Sequence, residues 1–480
     1  MNRGHVASDA FVARLWALCN VLRGDGISYN QYISELTYLL FLKLARETGS
    51  ETLLPEGYRW SDLVDYSGEN LIGYYQELLT HLGATASTEL VRYIYSFPTT
   101  VFSHSENLAA VIQGIDALNW HLLDADAIGI VYEGLLAKNS EDSRSGAGQY
   151  FTPRALVDCM VECVQPALAE IIQDPSAGTG GFLISADHFI RSRYDAAHYD
   201  ARPPTYEGME IERSTHRLCL MNVFLNRMNA KIHLGDTLTS DASVLRPADV
   251  ILANPPFGIR AGGQRLGRED LAHSSSNRQL QFVQHIYRTL LPGGRAAVVV
   301  PDNVLFEGGA ARRVREELME MSNLHMILRL PTGIFYAQNV STHVLFFTRR
   351  APIEPVCDDV WVYDLRTAMP RFGKRRQITA ADFATFRRAY DGVMRGEGHI
   401  AEQEAGGRLK RFTSAQVGGK SEVLLNGWRK DVDEGIEDNE DPELVLQQML
   451  SSLTWISREL KTVLEVLAAQ EHGPNSTGDA

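Results

Sequence analysis

The stretch DPSAGTGGFL, Asp174 to Leu183, follows the short apolar run EII and opens a helical pattern. Gly178, Gly180 and Gly181 strip side chains from the turn, so its backbone can approach a ligand closely. A strand, a glycine turn and a helix in that order make the nucleotide-site geometry of doubly wound sheets, at the carboxyl end of the first strand. The spacing is not the dinucleotide G-x-G-x-x-G. Outward from this turn, helical patterns alternate with apolar runs: EIIQD (170–174), ADVILA (248–253), RAAVVV (295–300) and HVLFF (343–347). That alternation predicts an α/β fold with a mostly parallel sheet covered by helices. WVYDL (361–365) is expected to add an edge strand.

Two acids extend the candidate ligand site. Glu210, in TYEGMEIE, falls where a second strand should end, and a carboxylate there can accept hydrogen bonds from both ribose hydroxyls. Asp236, in HLGD, falls at the expected end of the third strand, placed to accept from the amino group of a cofactor adenine. Asp174 itself closes the first strand.

The run ADVILA ends in Asn254-Pro255-Pro256-Phe257. Consecutive prolines lack the N–H groups of a ladder and fix an irregular turn at another carboxyl end. The Asn254 side-chain carbonyl and the Pro255 main-chain carbonyl can accept both hydrogens of an amino group such as adenine N6. The nitrogen lone pair, otherwise delocalised into the ring, is then turned toward a methyl sulfonium. This is catalysis by positioning and electrostatics rather than by a strong base. Phe257 offers a stacking face. A base inside a duplex reaches such a pocket only when flipped out.

The flanks carry no comparable chemistry. Residues from about Phe11 to Ala137 read as helical, with Ile33, Leu36, Leu40 and Leu44 on one face and Glu35 and Lys43 off it. NSEDSRSGAG, Asn139 to Gly148, reads as a boundary loop. Arg260 to Arg278 reads as a mobile loop over the catalytic turn, and Arg366, Arg371, Lys374, Arg375 and Arg376 around Phe372 as a possible phosphate strip. The acidic run DVDEGIEDNEDPE (431–443) leads to Leu446, Met449, Leu453, Ile456, Leu460, Val463 and Leu467, an a/d seam that asks for a partner helix. The four-residue spacing of Cys159 and Cys163 is neither zinc-ligand nor redox spacing, and all five cysteines read as buried free thiols. Gly418 to Ser421 lacks the earlier glycine of a phosphate loop, and no H-E-x-x-H or G-x-S-x-G occurs, so no metal, ATPase or hydrolase site is expected. No secretory signal is present, and Tyr38 to Leu44 is too short to span a bilayer, so the expected location is the cytoplasm. The 480 residues carry a net charge of −14. A chain that grips DNA alone usually shows a basic footprint, so another chain is expected to supply much of the phosphate contact.

The order GQYFTPR, DPSAGTGGFL, NPPFG resembles the amino-group DNA methyltransferases, and is most similar to the modification subunit of type I restriction–modification systems. LLPGGRAAVVVPDNVLF (290–306), ILRLPTGIF (327–335) and WVYDLRTAMPRFGKR (361–375) carry the same likeness. The resemblance implies a Rossmann-like S-adenosylmethionine-dependent methyltransferase sheet at 149–380, an N-terminal helical domain at 1–138, and a C-terminal extension at 381–480 with a partner-docking helix at 444–469 and a disordered tail. It implies adenine-N6 methylation of DNA. Gln149, Tyr150, Phe151, Thr152, Pro153 and Arg154 would line the cofactor pocket, Thr179, Gly180 and Gly181 would hold the amino-acid end, and Glu210 the ribose. Two modification subunits would join one specificity subunit, and restriction subunits can be added. Ser176 stands where many relatives carry Ala or Cys. Methylation of protein glutamine amides and a silent cofactor-binding scaffold are the alternatives, since an amide nitrogen poses the same chemical problem.

Overall fold

The computed structural model describes residues 10–19, 29–66, 69–86, 88–120, 123, 125–142, 152–258, 268, 270–273, 275–335, 341–351, 359–366, 369, 372–373 and 376–418. The strands are β1 (Ile171–Asp174), β2 (Thr205–Glu210), β3 (Ala230–Leu234), β4 (Ala248–Ala253), β5 (Leu290–Pro301), β6 (Ser322–Arg329), β7 (Thr342–Arg349), β8 (Asp359–Asp364) and β9 (Leu409–Thr413). They form one sheet in the order β3-β2-β1-β4-β5-β7-β6-β8-β9. Strands β1 to β5 pair in parallel; β7 runs antiparallel between β5 and β6, and β9 runs antiparallel on β8.

The chain winds outward from β1 to β3 and then returns to place β4 on the other side of β1. The strand order therefore reverses between β1 and β4, and a crevice opens beyond their carboxyl ends. Both strands are central and largely buried on both faces, and each carries a short apolar run, Ile171–Ile172 in β1 and Val250–Ala253 in β4. Period-two alternation divides them between two cores: Val250 and Leu252 join one, Ile251 and Ala253 the other.

The first core does not stop at the sheet. It continues into the N-terminal helices through Phe41, whose ring lies 5.0 Å from that of Phe224 on the helix Arg213–Leu225. Full burial of the Phe41 ring is worth roughly 1.5–3 kcal/mol.

Four expectations are revised. The helix Tyr29–Glu47 is buried around its circumference, and Glu35 and Lys43 are only 2% and 5% exposed. Glu35 accepts from Tyr75 Oη at 2.7 Å and from the Val101 amide, while Lys43 pairs with Asp116 at 2.9 Å and with Glu47. WVYDL is an inner strand, because β9 covers it. Residues 381–418, expected to open a separate extension, supply that outer strand and the helices packed on it. Asn139 to Asp142, expected to open a boundary loop, end the helix Ala125–Asp142, and 143–148 fall outside the described residues. Among the described residues no helix is long and apolar enough to cross a membrane. Cys19, Cys159, Cys163 and Cys219 are buried free thiols. Gly418 is the last residue of the short helix Ser414–Gly418. The expectations for Cys357, Gly419 to Ser421, the acidic run, the seam Leu446 to Leu467, most of Arg260 to Arg278, and Arg371, Lys374 and Arg375 fall outside the described residues. Arg366, from the basic run, is turned back onto Asp364 at 2.6 Å.

Candidate active site at the switch point

Asp174 ends β1 and catches the chain as it leaves: its Oδ1 accepts from the Ser176 amide at 3.0 Å. The Ala177 amide still donates to Met209 O at 2.9 Å, so the turn stays tied to β2. Gly178 and Gly180 then adopt left-handed φ of +54° and +84°. Gly180 needs this conformation for packing as well as for access. A Cβ there would lie 2.9 Å from Cys219 Sγ, whereas one at Gly181 would meet nothing within 4 Å. Open space therefore lies in front of Gly181, where the next helix, Gly181–Arg193, begins. Asn222 Nδ2 holds Thr179 O at 2.9 Å, and Thr237 Oγ1 holds Pro175 O at 2.6 Å.

Glu210 is the last residue of β2, and its carboxylate spans the turn. One oxygen accepts from the Gly178 amide at 3.0 Å, the other from the Glu212 amide at 2.8 Å. A carboxylate offers about four lone-pair positions, so acceptor capacity remains. Burial pushes the carboxyl up to about 7, against the pull of the Glu212, Gly178 and Ile211 amides. Asp174, 1% exposed, is also pushed up to about 7 by burial and by the neighbouring Glu210.

A carboxyl that ionises later folded than unfolded stabilises the fold at low pH and loses that contribution as pH rises to its folded pKa. For Glu210 the loss between pH 6 and 8 is about 1 kcal/mol. The ligand-free chain should therefore melt lower at pH 8 than at pH 6, and Glu210→Gln should narrow the gap. Thermal melts of both proteins at the two pH values check this; equal gaps would count against a buried, late-ionising Glu210.

Asp236 lies two residues beyond β3. Its Oδ1 accepts from the Leu238 amide at 2.9 Å, and its own amide donates to Asp241 Oδ2 at 3.0 Å. The carboxylate thus shapes its own turn.

At the end of β4, Asn254 Nδ2 donates to Thr152 Oγ1 at 2.9 Å. This orients the amide, and the buried Asn254 Oδ1 has no hydrogen-bond partner among the described residues. An unpaired buried acceptor costs about 1–3 kcal/mol, so it marks a place where a donor belongs. Gln279, 1% exposed near the start of the helix Arg278–Thr289, donates from Nε2 to Pro256 O at 2.8 Å and pins the proline turn. The half-buried Phe257 meets Phe335 edge to face, centroids 6.2 Å apart.

Gln149, Tyr150 and Phe151 fall outside the described residues. Thr152 comes to Asn254, and Pro153 leads into the helix Arg154–Val164. The Arg154 guanidinium is taken up by Glu133 at 2.7 Å and Asp158 at 2.9 Å. Residues not singled out from sequence also shape the site: Gln279, Phe335, Thr237, Cys219 and Asn222.

The sheet order, with its crevice at the switch point between β1 and β4, is that of a Rossmann-like α/β protein. Residues 123–435 match the N-6 DNA Methylase family model. The methylase subunit of the type I restriction enzyme StySPI from Salmonella potsdam is 40% identical, over 96% of each chain. That of EcoKI from Escherichia coli (strain K12) is also 40% identical, over 97% of this chain and 96% of the relative. A chain solved in work on the complex assembly and conformational transition of the type I R-M system superposes with a TM-score of 0.72, at 26% identity over 97% of this chain and 99% of that one. The chain belongs to the N-6 DNA methylase family, among the methylase subunits of type I restriction enzymes.

Proposed function

We propose that this chain transfers the methyl group of S-adenosylmethionine to N6 of adenine in double-stranded DNA, as the catalytic subunit of a type I restriction–modification complex. The observation that carries the reading is the buried Asn254 carbonyl, oriented by Thr152 and lacking a donor among the described residues. The cofactor fits the other side of the crevice. Gly181 faces open space, and Glu210 retains acceptor capacity beside the glycine turn.

S-adenosylmethionine supplies the electrophilic methyl. Thr179, Gly180 and Gly181 would hold its amino-acid end, Glu210 would accept from the ribose hydroxyls and Asp236 from the adenine amino group. Asn254 Oδ1 and Pro255 O accept the two N6 hydrogens of a flipped adenine and turn its lone pair toward the methyl donor. Gln279 fixes the turn that carries both acceptors. Phe257, braced by Phe335, gives the base a face to stack on. The proton leaves the product nitrogen to solvent, since no residue at the turn is a strong base.

Specificity belongs to another subunit. The chain's net charge of −14 favours a complex in which a specificity subunit grips the phosphates. Two methyltransferase subunits per specificity subunit, joined when present by restriction subunits and working in the cytoplasm, complete the proposal.

The test is tritium transfer from the cofactor to duplex DNA, with N6-methyladenine identified in the product. The chain co-expressed with its specificity subunit should methylate a defined adenine. Alone it should be slower by roughly 10³-fold or more, the usual span between specific and non-specific DNA binding. Efficient, sequence-specific methylation by the lone chain would refute the division of labour. Label found in another base or in protein would refute the reaction.

A further inference from the structure

The helix Arg213–Leu225 touches the candidate cofactor site in three places. The amide of Glu212, its N-cap residue, binds Glu210; Cys219 packs under Gly180; and Asn222 holds Thr179 O. A small shift of this helix would move the acid and the glycine turn together.

The same helix grips the N-terminal region. Arg217, 7% exposed, donates from Nε to Ile94 O at 2.6 Å and from Nη2 to Ser96 O at 3.1 Å. Ile94 ends the helix Glu89–Ile94, so the guanidinium satisfies carbonyls that the helix leaves open and meets the negative end of its dipole. The cation also lies 4.5 Å from the ring centre of Tyr38, which stacks on Tyr95. One turn earlier, the Arg213 guanidinium covers Phe97 at 4.1 Å. Phe97 is 67% exposed and has a φ of +48°, a left-handed conformation unusual for a bulky residue. Two arginines four residues apart thus clamp one strained turn, Ile94 to Phe97.

We propose that Arg217 is a positioning residue for cofactor binding: with Arg213 it keys the helix Arg213–Leu225 to the N-terminal helices, so that cofactor binding and docking of the 94–97 turn are coupled. This rests on the reading that Glu210 and the glycine turn hold S-adenosylmethionine. Coupling between two sites is reciprocal: whatever the clamp adds to cofactor affinity, the cofactor returns as stability of the clamped turn. A role confined to packing would change stability and leave both terms untouched.

The experiment uses the full chain and S-adenosylmethionine as the probe. In the wild type, saturating cofactor should slow amide exchange over residues 94–101 by about tenfold, or about 1.4 kcal/mol of coupling. In Arg217→Met the calorimetric Kd should rise by a similar factor and the cofactor-induced protection should vanish. Arg217→Lys keeps the charge without the fork and should fall between. Unchanged exchange in the wild type would overturn the proposal even if Arg217→Met fails to fold. Wild-type affinity in a folded Arg217→Met would overturn it too. Glu210→Ala separates the two readings: if it loses affinity while Arg217→Met does not, only the coupling fails. If it also binds as wild type, the cofactor site itself lies elsewhere.

Discussion

Asn254→Ala is expected to lower methyl transfer by roughly 10³-fold while cofactor affinity stays near that of the wild type. Removing one preorganised group that meets developing charge in a transition state typically costs about 10²–10³ in rate. Here the loss should lie at the upper end, because the group has two functions. In the proposed reaction its Oδ1 is the acceptor that reorients the N6 lone pair, and its Nδ2 bond to Thr152 holds that acceptor in place. Alanine removes both. Asn254 makes no hydrogen bond to the glycine turn or to Glu210, so the cofactor side should survive. The fold should survive as well, since the lost acceptor had no partner among the described residues. Tritium transfer into DNA and calorimetric titration of cofactor measure the two halves. Transfer near the wild-type rate would remove Asn254 from the reaction; loss of cofactor binding would show that the variant has damaged more than the target pocket.

The two turns were legible in the sequence because each is a local event. A buried parallel strand reads as a short apolar run, and glycine or proline must end it at a ligand site. What was not legible depended on distant partners. Asn254 and Thr152 are 102 positions apart, and nothing near either announces the bond. Gln279 pins Pro256 from 23 positions away. Glu35 and Lys43 lie off the apolar face of their helix, and nothing beside them in sequence marks them as buried. Their partners, Tyr75 and Asp116, come from other helices and let both be buried. WVYDL reads as an edge strand because its outer neighbour is disguised. In β9 only Leu409 and Phe412 turn inward, while Lys410, Arg411 and Thr413 are exposed, so no alternation survives to mark a strand. The glycine turn was recognised for the access it gives a ligand. The left-handed backbone and the Cys219 contact at Gly180 need the helix Arg213–Leu225 to be in place before they can be seen.

Gly180→Val should abolish measurable cofactor binding, weakening it by about 10²-fold or more. At φ +84° a β-branched residue meets its own backbone, a cost of about 1–2 kcal/mol. Its Cβ also falls 2.9 Å from Cys219 Sγ, and Cys219 is fully buried with no room to retreat. Overpacking of this kind costs about 1–3 kcal/mol. The turn can relieve both only by changing shape. The Asn222–Thr179 and Gly178–Glu210 bonds on either side then lose their geometry, and with them the arrangement that meets the cofactor. Gly181→Ala is the matched control. Among the described residues its Cβ meets nothing within 4 Å, and at the start of a helix alanine should leave the melting temperature unchanged or raise it slightly. If the space before Gly181 is where the cofactor lies, this variant should bind it more weakly while folding as well as the wild type. A Gly180→Val chain with wild-type affinity would show that the glycine turn is a structural corner and not the cofactor's seat. A Gly181→Ala chain with wild-type affinity would show that the open space in front of the turn is not used.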